Sequence, residues 1–253
     1  MGTGKGEFLE LFKAKKPIMG MIHLKGNNNE EKLEIAKREI DEMIENGIDA
    51  VIIENYFGST ENVEEVLRYI YAERKNIIYG LNILKDDHKS FELANQFEAK
   101  FIQLDSVAGH LTIEEDVQFH DFISKQREQT NAFVLGGVRF KYQPYLSGRS
   151  LEEDLKIGMT RCDAIVVTGE GTGLETDLNK IIEFRTIMGK NFPLIVGAGI
   201  TAENFHNQLT LADGAIMGSY LKDSYKDDGY VSPEHIQQFM TEVQKFRTVM
   251  SVL

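Results

Sequence analysis

Short apolar runs recur along the chain, and most stop at a polar residue or a glycine. Residues 18–22 run into His23, 50–53 into Glu54-Asn55, 77–83 carry Asn82 near their end, and 101–104 run into Asp105-Ser106. Further on, 132–138 meet Arg139, 164–167 meet Thr168-Gly169, 194–196 meet Gly197-Ala198-Gly199, and 215–217 meet Gly218-Ser219. Between these runs the apolar spacing turns helical. Leu33, Ala36, Ile40, Met43 and Ile44 share one face with Gly47 as a stop, as do Val63, Val66, Leu67 and Ile70. Runs of four to eight apolar residues bounded by breakers read as buried strands, and the 3.6-residue spacing reads as helices. Eight strand–helix units in 253 residues predict a closed (β/α)8 barrel, an α/β fold in a single domain over 1–253. A doubly wound open sheet shares the alternation, but polar stops at nearly every strand end favour closure.

The remaining elements follow the same pattern. A helix passes through Phe91, Leu93, Ala94 and Phe97, and a polar one through Phe119, Phe122 and Ile123. A short helix covers 151–159, another begins near Asp177, and a brief one is capped by Thr201. The last starts at Ser232-Pro233, a capping residue followed by proline at the first helical position. Residues 1–15 are expected to form a flexible leader or a short N-terminal helix. A faint repeat supports this register: Asp49-Ala50, Asp163-Ala164 and Asp213-Gly214 each precede a short apolar strand.

If the barrel closes, the carboxyl ends of its strands converge on one mouth, and the polar stops become its lining. His23, Glu54, Asp105 and Lys141 are the candidate catalytic groups. A carboxylate there can serve as general base, hold a ribose hydroxyl or bind a metal, while Lys141 can form a Schiff base or hold an anion, and Arg139 or Lys141 can pair with the carboxylates. Gly197, Gly199, Gly218 and Ser219 are the candidate phosphate seat, because the loops after the seventh and eighth strands of such barrels commonly turn main-chain amides toward a phosphate. Thr168, Gly169, Gly171 and Thr172 belong to a glycine-rich loop expected to close over the same ligand. It lacks the spacing of a dinucleotide fingerprint, since Leu174 stands where glycine or alanine is needed.

Charge and composition narrow the partners. A formal net charge of −12 leaves no basic stripe for nucleic acid, although a small phosphorylated ligand can still be held locally. With 42% hydrophobic residues the chain can bury a sizeable core. Cys162 is the only cysteine and falls on the rim opposite the mouth, where an inert thiol is expected. No apolar run reaches about 18 residues, so no transmembrane segment is expected, and the absence of a secretory signal points to a cytoplasmic protein. His88, His110, His120, His206 and His235 show no metalloprotease or finger spacing, while His23 can be a proton carrier or a ligand. The sequence requires no cofactor, and a divalent metal and a homo-oligomer both stay open.

Several stretches together resemble the BtpA/SgcQ family of barrel proteins. These are Pro17-Ile18-Met19-Gly20-Met21-Ile22-His23-Leu24, Gly47-Ile48-Asp49-Ala50 through Glu54-Asn55-Tyr56-Phe57-Gly58, and Cys162-Asp163-Ala164 through Thr168-Gly169. Val196-Gly197-Ala198-Gly199-Ile200-Thr201 and Ala212-Asp213-Gly214 through Gly218-Ser219 complete the set. The first loop departs from it, reading Lys25-Gly26-Asn27-Asn28-Asn29 where many members have a proline-rich segment. The resemblance implies a TIM barrel of the ribulose-phosphate-binding type. On that expectation the protein is an enzyme acting on a small phosphorylated sugar or nucleoside metabolite by isomerase, lyase or aldolase chemistry. Two alternatives accompany it: a non-catalytic assembly or stability factor, and a phosphate-ligand sensor without turnover.

Overall fold

A computed structural model describes residues 7–250. Eight parallel strands close into a barrel in sequence order. They are β1 (Ile18–His23), β2 (Ala50–Glu54), β3 (Tyr79–Asn82), β4 (Phe101–Ala108), β5 (Phe133–Val138), β6 (Ala164–Thr168), β7 (Leu194–Gly197) and β8 (Gly214–Met217). Helices α2 (Asn29–Glu45), α3 (Thr60–Glu73), α4 (Asp87–Gln96), α5 (Ile113–Gln129), α6 (Leu151–Arg161), α7 (Leu178–Met188), α8 (Phe205–Leu211) and α9 (Pro233–Met250) form the outer ring. A short α1 (Glu7–Glu10) precedes β1. The pairing β1–β8, with Ile18 opposite Ala215, completes the ring.

Alternation along each strand divides the apolar residues into two sets. Ile18, Ile22, Val51, Ile53, Ile102 and Leu104 face the helices, with Ile40, Leu67, Phe91 and Phe184 packed among them. Met19, Met21, Ala50, Ile52, Phe101, Ala164, Val166, Ile195 and Ile216 fill the barrel interior. Gly80 on β3 makes room for this filling, because a Cβ there would lie 2.4 Å from the Phe101 ring. The floor is closed from below by α1 and the turn after it. Phe8 sets its ring 5.9 Å from both Phe101 and Phe133, edge to face, and 5.5 Å from Phe12. Residues 8–12 are therefore part of the packed barrel, whereas 1–6 lie outside the described residues.

The aspartates of the sequence repeat are joints at this lower end. Asp49 accepts the amide of Ile18 at 2.7 Å and pairs with Arg247 of α9. Asp163 accepts the amide of Val134 at 2.7 Å and holds Arg127 of α5 through two bonds of 2.8 Å. Asp213 accepts the amide of Leu194 at 3.0 Å and pairs with Arg185 of α7 at 2.7 Å.

Three expectations need correction. β4 does not stop at Leu104 but continues to Ala108, with a register shift between the two. The reason lies across the ladder, where a Cβ on Gly137 would come within 2.1 Å of the Asp105 carbonyl; glycine lets the strands stay together through the irregularity. β3 is shorter than 77–83, and Ile77 and Ile78 lie before it. Thr201 does not cap α8, which begins after Asn204. Instead the Asn204 carboxamide oxygen accepts the Thr201 amide at 2.8 Å, and its nitrogen donates to the Gly199 carbonyl at 2.8 Å, tying down the loop after β7.

Candidate active site

The inward parity of the strands carries on past the apolar core and delivers polar side chains at its upper end. His23 follows Met21 by two residues, Glu54 follows Ile52, Asn82 follows Gly80, and Thr168 follows Val166, so all point into the barrel. His23, Glu54 and Thr168 line a cavity of about 580 Å³, walled higher up by Tyr56, Tyr142 and Tyr225, while Asn82 is buried between Glu54 and Asp105.

Its floor brings acids and bases into a chain of close polar contacts. Asn82 Nδ2 donates to Glu54 Oε1 at 2.9 Å and to Asp105 Oδ1 at 3.1 Å. His23 Nε2 lies 3.4 Å from Glu54 Oε2. Burial, reinforced by the negative charge of Asp105, pushes the Glu54 carboxyl up to about 8. Burial also raises Asp105, but hydrogen bonds from Asn82 and Gln103 and the charge of Lys141 all favour its ionised form. Desolvation, with Lys222 close by, takes the His23 imidazole down to about 3, so the ring is neutral at neutral pH. Two adjacent carboxyls with differently tuned proton affinities are the equipment of an acid and a base.

Lys141 enters from the loop after β5. Its amide donates to Thr168 Oγ1 at 3.1 Å and its Nζ donates to Thr172 Oγ1 at 3.1 Å. Thr172 is placed in turn by the Tyr142 hydroxyl, which accepts its amide at 2.9 Å. The opposite wall is made by Gly173, Gly197, Gly199, Gly218 and Ser219, with Thr201 and Tyr220 beside them. Gly199 has φ +64, and a Cβ on it would sit 2.2 Å from the Leu174 backbone, so the loops after β6 and β7 interlock.

Three of the residues chosen from sequence do not line this cavity. Arg139 has φ +48, which turns the chain so that Lys141 points inward while the Arg139 guanidinium points out. It donates to Asp154 Oδ2 at 3.2 Å and to the Arg149 carbonyl at 2.8 Å, a structural tie at the start of α6. Gly169 packs against the backbone of Glu175, and Gly171 gives room to the Tyr142 hydroxyl, so both shape the loop without forming its inner surface. Cys162 is buried at the lower end, and burial pushes its thiol up.

Sequence reasoning missed three contributors. Lys222 is fully buried behind His23, with Nζ 2.9 Å from His23 Nδ1, in a segment that reads as loop. Gln103 lies two residues before Asp105 and so shares its inward parity, a signal present in the pattern. Asp87, in the first turn of α4, stands at a second cavity of about 470 Å³ that shares Lys85, Asp105 and Gln143 with the first. Burial and the charge of Asp105 raise Asp87 to about 6. In the same cavity wall, Ser106 Oγ and His110 Nδ1 are buried without a hydrogen-bond partner among the described residues. No group of three or more His, Cys, Asp or Glu is placed to hold a metal ion among the described residues. Nor is any helix among them long and apolar enough to cross a membrane.

The model of the BtpA family matches residues 14–245. The chain belongs to the BtpA family. Its relatives include the photosystem I biogenesis protein BtpA of Synechocystis sp., 23% identical over 92% of this chain and 90% of that one. Among solved structures, the native KDPGal structure superposes with a TM-score of 0.63 at 13% identity, covering 96% of this chain and 99% of that one. The thiamine phosphate pyrophosphorylase of Pyrococcus furiosus gives 0.61 at 13% identity, over 91% and 96%. At such identity these likenesses establish the TIM-barrel fold of this BtpA-family chain.

Proposed function

We propose that this BtpA-family barrel is an enzyme that moves protons on a small phosphorylated sugar or nucleoside metabolite, in an isomerase-, lyase- or aldolase-type reaction. The observation that carries the reading is the Glu54–Asn82–Asp105 bridge, two carboxyls held by one amide inside a cavity whose far wall is glycine loop. Asp105, stabilised as the anion by its donors, takes a proton from a carbon next to a carbonyl, and the electron pair moves onto the carbonyl oxygen. Glu54 enters protonated and returns a proton to the substrate. Lys141 supports the negative charge that develops on oxygen between the two steps. The phosphate lies against the loops after β7 and β8, where Gly199 and Gly218 let the backbone come close. The resemblance of the fold to phosphate-handling barrels agrees with this placement. The cavity of about 580 Å³ suits a single small metabolite.

Deuterium incorporation from D2O into a panel of sugar phosphates and nucleoside monophosphates, followed by NMR, tests the proposal. At least one compound should exchange a carbon-bound proton with the native protein and lose that exchange with Asp105→Asn, while still raising the melting temperature of the variant. Retention of exchange by Asp105→Asn removes Asp105 as the base. Stabilisation by a sugar phosphate without exchange would support a ligand sensor instead. The biogenesis role carried in the name of the Synechocystis relative favours a second reading, an assembly factor that docks through the barrel. That reading predicts neither exchange nor stabilisation by any phosphorylated compound.

A further inference from the structure

His23 is gripped on both ring nitrogens. On the cavity side Nε2 faces Glu54 Oε2 at 3.4 Å. On the other side Nδ1 lies 2.9 Å from Lys222 Nζ and 3.1 Å from the Asp227 carbonyl oxygen. Lys222 also donates to that same carbonyl in a short hydrogen bond. The ring plane is held by Tyr56, whose ring centroid is 4.9 Å away.

Lys222 has zero exposure, and its side chain reaches no solvent. The charged groups around it are Lys25, Glu39, Asp227 and Glu54. Glu39 Oε1 accepts Lys25 Nζ at 2.5 Å and the Val231 amide at 3.1 Å, and its Oε2 makes no hydrogen bond to Lys222 or to any other group among the described residues. His235 turns to the Lys222 carbonyl at 2.9 Å, away from the ammonium. Burial and the nearby Lys25 charge bring Lys222 down to about 8, which leaves it cationic at neutral pH.

An ammonium has three donors and no acceptor, and buried donors need lone pairs. A proton on Nδ1 would set donor against donor at 2.9 Å. A lone pair on Nδ1 satisfies Lys222, and the Asp227 carbonyl accepts a second ammonium proton. The imidazole proton then belongs on Nε2, the nitrogen on the Glu54 side of the ring.

We infer that Lys222 is a positioning residue that fixes His23 as the neutral Nε2–H tautomer, so that His23 presents an N–H to Glu54 and is not a base. In the acid–base cycle proposed above, the Nε2–H steadies Glu54 as its carboxylate forms on proton release. That consequence rests on the proposed cycle. The tautomer itself does not, and it is measured without any substrate, so the two can fail separately.

Long-range 1H–15N correlation spectra of uniformly 15N-labelled protein test the assignment, with His23 identified by its loss in His23→Gln. In the native protein at neutral pH, Nδ1 should resonate as a bare, pyridine-type nitrogen and Nε2 as a protonated, pyrrole-type one. The pattern should persist on lowering the pH to about 5. In Lys222→Met the proton should move to Nδ1, where the Asp227 carbonyl accepts it, and the two resonances should exchange character. A native spectrum with the proton on Nδ1, or a His23 ring that gains a second proton above about pH 5, overturns the inference whether or not the variant folds. An unchanged pattern in folded Lys222→Met overturns it as well.

Discussion

Glu54 carries its proton far beyond the pH at which a free glutamic acid gives it up, and replacing it by glutamine should change how stability depends on pH. The folded carboxyl is pushed from 4.5 up to about 8 by burial and by the charge of Asp105. Between those values the folded chain holds a proton that the unfolded chain has released, so Glu54 makes stability fall as pH rises through the window. His23 acts in the opposite sense. Its imidazole is lowered from 6.5 to about 3, so the unfolded chain holds the extra proton there and stability rises with pH over that interval. Lys222, lowered from 10.5 to about 8, adds a second rise that begins only above about pH 8. From pH 6.5 to 8 the Glu54 contribution therefore stands apart from these two. At 1.36 kcal/mol for each pH unit, it amounts to about 2 kcal/mol. Glutamine has nearly the shape of the protonated acid and carries no proton that titrates in this range. Urea unfolding of native protein and Glu54→Gln across this window, at constant ionic strength, should show the native chain losing about 2 kcal/mol relative to the variant. Parallel free-energy curves for the two proteins would refute the raised Glu54 affinity, and with it the assignment of Glu54 as the acid.

Two further substitutions probe the scaffold beneath and beside the site. Phe8→Ala removes the ring that meets Phe101, Phe133 and Phe12 under the barrel, and should cost about 3–5 kcal/mol in chemical unfolding, with no change in the fold by circular dichroism. A cost near zero would mean that the floor closes without α1. Gly199→Ala puts a Cβ at φ +64 and 2.2 Å from the Leu174 backbone, so about 1–2 kcal/mol of backbone strain adds to a displaced loop. Limited proteolysis should then cut between residues 169 and 177 faster than in the native chain, and equal cutting rates would contradict the interlock of the two loops.

Much of the barrel is legible in the chain because several apolar runs end on the residue that enters the mouth. Parity does the rest: Met21 and His23, Ile52 and Glu54, or Val166 and Thr168 share one strand face, so a reader who finds the core has found the lining. What escapes the pattern depends on the backbone leaving its regular path. Arg139 and Lys141 look equivalent as cations two residues apart, yet the positive φ at Arg139 sends one outward and the other inward. The extension of β4 past Leu104 depends on Gly137 of the neighbouring strand, a contact no single run of residues encodes. Lys222 follows a three-residue 3-10 turn, Ser219–Leu221, where neither strand nor helix spacing applies, and a lysine in a loop reads as solvated until its surroundings are known.

The aspartates before β2, β6 and β8 reveal the grain of the molecule. Each secures the start of the strand that precedes its own, and each is met by an arginine from the helix before that strand, with α9 serving β1 in this role. The seam where the ring shuts is thus stitched like two of its internal joins, and construction proceeds by strand pairs more than by single strands. One pair lacks the stitch. Before β4 stands Lys100, whose amide bonds to the Tyr79 carbonyl at 2.8 Å. The strand that follows is the irregular one, and it carries Asp105, so the pair without the stitch leads into the ladder that slips its register.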